Sequence, residues 1–132
     1  MSDATSAQAL SRDWETTTEP LSRLSDFEEY KAGYTKFISG EWDDEHWTAF
    51  RLRFGIYGQL QPGVQMIRIK LPGGILPTEW LRAIAAINRK YAKGEAHITT
   101  RQDFQLYFVP LARTPDLLKD LYSAGLTTRE AC

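Results

Sequence analysis

Arg68 and Lys70 stand two residues apart in the string Met66-Ile-Arg-Ile-Lys-Leu71, whose alternation places both cations on one side of a strand. In extended backbone they lie about 6.6 Å apart, close enough to act on one anion. An arginine fork matches carboxylates and oxyanions, and a lysine supplies a compact charge beside it. Arg51, Arg53, Tyr57, His97, Thr99, Arg101, Gln105 and Tyr107 take the same parity in neighbouring segments, with Asp103 the lone acid nearby. A solvated face normally mixes signs, so a face this cationic suits an anionic ligand or partner. The chemistry on offer is anion binding and charge stabilisation. There is no Ser-His-Asp order, no paired His-Glu zinc motif and no Cys-x-x-Cys, and Lys93-Gly94 lacks the strand and spacing of a phosphate loop. His97 alone reads as a surface histidine, Tyr57 and Tyr107 as ordinary strand residues. A single cysteine, Cys132, cannot complete zinc or an iron–sulfur cluster, which need about four ligands, so no metal site is expected in this chain.

The elements that must position these groups fit one small domain of 132 residues. Net charge is −1, but residues 1–50 carry 4 Lys and Arg against 11 Asp and Glu, while residues 51–132 carry 12 against 6. The second part is therefore a cationic unit that attracts anions. No apolar run approaches the roughly 18 residues of a membrane span, and Met1–Ala9 lacks the basic and apolar regions of a signal peptide, so the expected location is cytoplasmic.

Residues 1–25 read as a flexible leader and 26–49 as an aromatic and acidic arm, its rings spaced by charged or small residues and draped without a core of their own. The folded unit is expected over 50–132. Leu52, Phe54 and Ile56 alternate with polar or small residues, predicting a strand over 51–59, and a second strand follows over 65–71. Trp80, Ile84, Ile87 and Tyr91 repeat at helical spacing, with Leu81 and Ala85 widening the stripe and Gly94 placed to end the helix. Residues 96–100 and 104–109 read as strands joined by a hairpin or separated by a bulge, with Phe104, Leu106 and Phe108 on one face. Thr114, Pro115 and Asp116 read as N-cap, N1 and N2 of a last helix that Gly125 terminates. The order β-β-α-β-β-α predicts an α+β fold, a mainly antiparallel sheet with two helices on one face and the cationic groups on the other.

Four strings then converge: Phe50-Arg-Leu-Arg-Phe-Gly-Ile-Tyr-Gly-Gln59, Met66-Ile-Arg-Ile-Lys-Leu-Pro-Gly-Gly74, His97-Ile-Thr-Thr-Arg-Gln-Asp-Phe-Gln105 and Gly125-Leu-Thr-Thr-Arg-Glu-Ala-Cys132. In this order and spacing they resemble the N-terminal ferredoxin-like half-domain of assimilatory nitrite and sulfite reductases. The resemblance implies siroheme coupled to a [4Fe–4S] cluster and a six-electron reduction of nitrite to ammonia or sulfite to sulfide. It implies substrate binding by Arg68 and siroheme contacts from Lys70, Thr99, Arg101, Gln105 and Tyr107. It also implies that the cluster cysteines and further substrate-binding residues belong to parts of the reductase outside this chain, so that the chain alone is inactive, and that ferredoxin or a flavoprotein donates electrons. Two departures are local. Tyr107 stands where members often carry His, and Leu60 where they often carry Arg.

Two other readings stay open on the residues alone. A basic sheet backed by helices also suits a single-stranded nucleic-acid module, although this face offers only Tyr57 and Tyr107 for stacking and lacks the glycine- and aromatic-rich signature string. A stand-alone tetrapyrrole-binding protein that lost the chemistry is the other.

Overall fold

The structure is a computed structural model and describes residues 20–131. Most of the expected leader, and Cys132, lie outside the described residues. Helix α1 (Leu24–Ile38) and helix α2 (Asp44–Leu52) come first, then strands β1 (Ile56–Gly58) and β2 (Val64–Ile69). Helix α3 (Thr78–Tyr91), strands β3 (Ala96–Ile98) and β4 (Phe104–Pro110), and helix α4 (Thr114–Ser123) complete the chain. The four strands form one antiparallel sheet in the order β1-β2-β4-β3. Among the described residues, no helix is long and apolar enough to cross a membrane.

The inner sheet face carries Ile56, Ile67, Ile69, Leu106 and Val109, all fully buried. Trp80, Ile84, Ile87 and Tyr91 of α3, and Leu117, Leu118 and Leu121 of α4, meet it in one continuous core. The stripe on α3 is narrower than the sequence suggests: Leu81 stays 46% exposed, and Asn88 is buried instead. Helix α3 ends at Ala92 in extended backbone, so Gly94 lies one residue beyond the expected stop, at φ +79°. Helix α4 closes as expected. Gly125 has φ +90°, its N–H donates to Tyr122 O, and the Leu126 N–H donates to Leu121 O, the paired bonds of a Schellman ending.

Four further expectations are corrected. Residues 51–55 are not strand: α2 runs through Leu52 and a turn leads to Gly55 at φ +69°. Asp43 starts that helix by accepting the His46 N–H at 2.7 Å, with Asp44 and Glu45 in the first turn, where they complement the helix dipole. The acidic cluster is thus a helix start. Arg51 and Arg53 consequently leave the sheet face. Arg51 donates to Ile56 O at 3.1 Å, and Arg53 pairs with Glu29 of α1 at 3.3 Å.

The aromatic segment, expected to lack a core, is helical and builds one. Tyr30, Trp47, Phe50 and Phe54 are buried, and Phe37 stacks on Trp47 with centroids 4.8 Å apart. Such ring pairs add about 0.5–1.5 kcal/mol each beyond the area they bury.

The third correction concerns β4. Gln65 pairs with Val109 but Ile67 with Leu106, so Met66 alone faces Tyr107 and Phe108, a β-bulge. The bulge turns Val109 into the core and leaves Phe108 half-buried at φ +59°, rather than sharing a face with Leu106. Lys93 lies over the Phe108 ring at 4.5 Å, and the Phe108 N–H donates to Gln59 Oε1 at 2.6 Å. Thr114 does not cap α4 with its side chain. Its hydroxyl is buried between Tyr30 Oη (2.6 Å) and Leu111 O (2.8 Å) and ties α1 to the start of α4.

Candidate functional site

The outer face of the sheet is fixed by register. Arg68 of β2 sits opposite Gln105 of β4, Gln105 opposite His97 of β3, and Tyr57 of β1 opposite Met66 of β2. Side chains of one parity therefore line up across four strands. The Arg68 guanidinium lies over the Tyr57 ring, with Cζ 5.2 Å from its centroid. The Gln105 amide sits between Arg68 and Tyr107. In the orientation that satisfies both neighbours, its nitrogen donates to Tyr107 Oη at 2.5 Å, and its oxygen accepts from Arg68 Nε at 3.1 Å and Nη2 at 2.7 Å. His97 packs edge-on against Tyr107 at 4.9 Å. Tyr57 is anchored in turn, its hydroxyl donating to Ala131 O at 3.1 Å.

Arg68 is half-buried, and among the described residues it has no carboxylate partner. Its neighbours are neutral, so its charge is undiminished. A guanidinium held by neutral groups beside low-dielectric protein attracts an oxyanion more strongly than one in water.

Lys70 and Arg101 lie at the same end of the sheet, Lys70 just past β2 and Arg101 in the turn between β3 and β4. Lys70 follows β2, and its N–H donates to Thr127 O at 2.9 Å. It lines a cleft of about 390 Å³ with Arg23, Asp26, Thr127, Arg129 and Glu130. Arg101 occupies the exposed tip of the β3–β4 hairpin. Thr99 holds that tip: its Oγ1 accepts the N–H groups of Arg101 and Asp103, both at 3.2 Å. The Thr99 N–H donates to Asp103 O and the Gln102 N–H to Thr99 O, so the link is a hairpin turn. The structure thus brings Arg68, Gln105, Tyr107, Tyr57 and His97 into one contact chain, places Lys70 and Arg101 at the end of the sheet beyond it, and gives Thr99 a turn to hold.

Sequence reasoning named Asp103 and the 125–132 string but gave neither its structural role. Buried Asp103 accepts the Leu71 N–H at 3.0 Å and so anchors the hairpin to the end of β2. Leu126, Thr127 and Thr128 are buried along the end of β2, and Glu130 N–H bonds Arg53 O at 2.8 Å. Arg129 binds Glu29 at 2.9 Å and Asp26 at 3.5 Å and covers the Phe54 ring. The hydrogen bond from Arg129, aided by its charge and that of Arg53, holds the Glu29 carboxyl below the usual glutamate range. Long-range pairing of this kind leaves no periodic signal. The turn chemistry Thr-x-x-x-Asp was the one local hint of the anchor.

Residues 57–124, just over half of the chain, match the family model of the nitrite/sulfite reductase ferredoxin-like half domain. The chain belongs to that family. Among similar proteins, a ferredoxin–nitrite reductase of Synechococcus elongatus is 34% identical over 127 residues, 85% of this chain and 24% of that protein. The chloroplastic ferredoxin–nitrite reductase of Spinacia oleracea is 42% identical over 67 residues, 50% of this chain and 11% of that protein. A sulfite reductase [NADPH] hemoprotein beta-component of Anoxybacillus flavithermus is 42% identical over 76 residues, 56% of this chain and 13% of that protein. The solved structure of the Mycobacterium tuberculosis NirA protein superposes with a TM-score of 0.60 at 27% identity, covering 68% of this chain and 20% of that one. The half-domain family and its four-stranded α+β fold are thus as expected from the sequence, and this chain spans a quarter or less of each of these four proteins.

Proposed function

We propose that the outer sheet face forms part of the wall of a siroheme and oxyanion pocket in a nitrite or sulfite reductase, the rest of the pocket coming from other parts of the enzyme. The observation that carries this reading is Arg68, a half-buried guanidinium held by Gln105 and Tyr57 with its charge uncompensated among the described residues. Siroheme, when bound, supplies the redox centre for the six-electron reduction. The residues of this chain bind and orient. Arg68 holds nitrite or sulfite and offsets negative charge as oxygen is lost as water. Lys70 and Arg101 attract the carboxylates that ring the tetrapyrrole, while Thr99, Gln105 and Tyr107 present hydroxyl and amide groups to it.

The face suits a polyanionic macrocycle because Lys70 and Arg101 add cations at the end of the sheet beyond Arg68. The iron–sulfur cluster does not fit: among the described residues, no group of three or more His, Cys, Asp or Glu could hold a metal ion. Its ligands therefore belong to other parts of the reductase, and the chain by itself is expected to be without turnover. The electron donor in this reading is a ferredoxin or a flavoprotein, in keeping with the ferredoxin and NADPH in the names of the relatives. The nucleic-acid reading has less support, since the Tyr57 ring is covered by Arg68 and Tyr107 packs on His97.

The test is Arg68→Ala in the assembled, siroheme-loaded protein, with nitrite and sulfite affinity read from the tetrapyrrole absorption band. Charge-assisted hydrogen bonds are worth about 1.5–3 kcal/mol, so affinity is expected to fall by about ten- to a hundred-fold. Unchanged affinity for both anions would overturn the assignment.

A further inference from the structure

We infer that Gln105 is a positioning residue, a neutral clamp that occupies the side edge of the Arg68 guanidinium and commits an incoming oxyanion to its Nη1/Nη2 end. The inference rests on the oxyanion role of Arg68 proposed above and adds how that arginine is aimed.

A guanidinium offers two bidentate edges, the Nε/Nη2 side and the Nη1/Nη2 end, and a flexible arginine presents either. Here one oxygen, that of Gln105, accepts from both Nε and Nη2, at 3.1 and 2.7 Å. The side edge is therefore taken. The amide cannot turn over, because that would set its NH2 against the donor-only guanidinium of Arg68, while the Tyr107 hydroxyl at 2.5 Å holds the far end of the amide in place. The Tyr57 ring lies against the guanidinium face and restricts rotation about the last side-chain bonds. Three neutral groups on two strands, β1 and β4, thus fix the direction of one charge on β2, and cross-strand register (Arg68 opposite Gln105) sets the clamp.

Neutrality matters to the design. A carboxylate at position 105 would hold the same edge with two charge-assisted bonds, but it would cancel the charge that draws the anion. An aliphatic residue there would leave the charge intact and free the arginine to swing. Position 105 therefore separates aim from charge, and the two can be measured apart.

The experiment is nitrogen-15 relaxation of the Arg68 Nε–H in the full 132-residue chain, assigned by its loss in Arg68→Lys, followed by titration with sodium nitrite. In the unsubstituted chain the Nε–H is expected to be ordered. In Gln105→Leu its order parameter is expected to fall below about 0.6, the range of flexible groups. Gln105→Glu should restore order while weakening the nitrite-induced shift, a rescue that simple loss of packing would not produce. Tyr107→Phe, the mildest change, should loosen Arg68 partly by releasing the amide. An Arg68 Nε–H as ordered in both Gln105→Leu and Tyr107→Phe as in the unsubstituted chain would overturn the clamp. A freed arginine in those variants upholds the clamp whether or not nitrite shifts the signal, and failure of the oxyanion reading is read separately, from Arg68→Ala in the assembled, siroheme-loaded protein.

Discussion

Asp103 reaches from the hairpin tip to the end of β2 and accepts the Leu71 backbone N–H at 3.0 Å, with both residues buried. The bond spans 32 positions of sequence and joins the turn that carries Thr99 and Arg101 to the strand that carries Arg68. Asp103→Ala would leave a buried N–H without an acceptor, a loss of about 1–3 kcal/mol. Asp103→Asn keeps an acceptor oxygen and should cost clearly less. Urea unfolding of the three proteins checks the order, and equal losses for Ala and Asn would show that the accepting oxygen is not what matters.

Gly55 carries a second structural demand. Its φ of +69° suits glycine, and a Cβ there would lie 2.7 Å from both Arg68 O and Thr128 O. These are backbone atoms and cannot swing aside. Gly55→Ala therefore combines a left-handed penalty of about 1–2 kcal/mol with a clash that parts β2 from the 126–131 segment. The expected result is a drop in thermal midpoint larger than that of Gly63→Ala, which has a similar φ of +78° but open space around it. Equal drops would show that only the dihedral counts.

The contrast between Gly55 and β2 explains what the sequence could and could not reveal. Residues 65–71 and the stripe Trp80, Ile84, Ile87 and Tyr91 were legible because one face of each is buried, and burial imposes its period on the sequence. Residues 51–55 misled because Leu52, Phe54 and Ile56 alternate over too short a window, while Trp47, Phe50 and Phe54 also fall at helical spacing. Asp43 as N-cap and Gly55 as terminator decide between the two, and the buried aromatic cluster confirms the helix. The bulge at Phe108 was not legible, since an inserted residue shifts parity without changing composition. At the site, Arg68, Gln105 and Tyr107 could be grouped from alternation alone. The docking of Thr127 and Thr128 beside β2, and the reach of Asp103 to Leu71, depend on chain geometry, for which the Thr-x-x-x-Asp spacing was the one local hint.

Gly33 makes an opposite case to an ordinary helical glycine. In an exposed helix interior, Gly→Ala gains up to about 1 kcal/mol. On α1, an added Cβ would sit 2.3 Å from the Phe50 ring. That ring is itself packed by Tyr30, Trp42, Trp47 and Phe54, and moving it would disturb those contacts. Overpacking of about 1–3 kcal/mol should outweigh the helix gain, and Gly33→Ala is expected to be destabilised with altered tryptophan emission. A stabilised variant would mean that α1 and α2 shift apart without loss.

Two buried tyrosines set an alkaline limit on the fold. Tyr30 bonds Thr114 Oγ1 at 2.6 Å, Tyr122 bonds Thr128 Oγ1 at 2.9 Å, and burial raises the ionisation of both, Tyr122 up to about 12 and Tyr30 further. The unfolded chain releases these protons near pH 10, while the folded chain keeps them. Above pH 10 the unfolded state therefore binds fewer protons, and stability must fall as pH rises. The contribution is fully present below pH 10 and is lost between pH 10 and the folded-state values. Each tyrosine gives a slope of about 1.4 kcal/mol per pH unit over that window. Tyr122→Phe should lose some stability at pH 8, through an unpaired Thr128 hydroxyl, yet show a shallower decline from pH 10 to pH 11. Urea midpoints at the three pH values measure both effects, and an unchanged alkaline slope would show that Tyr122 ionises without unfolding the chain.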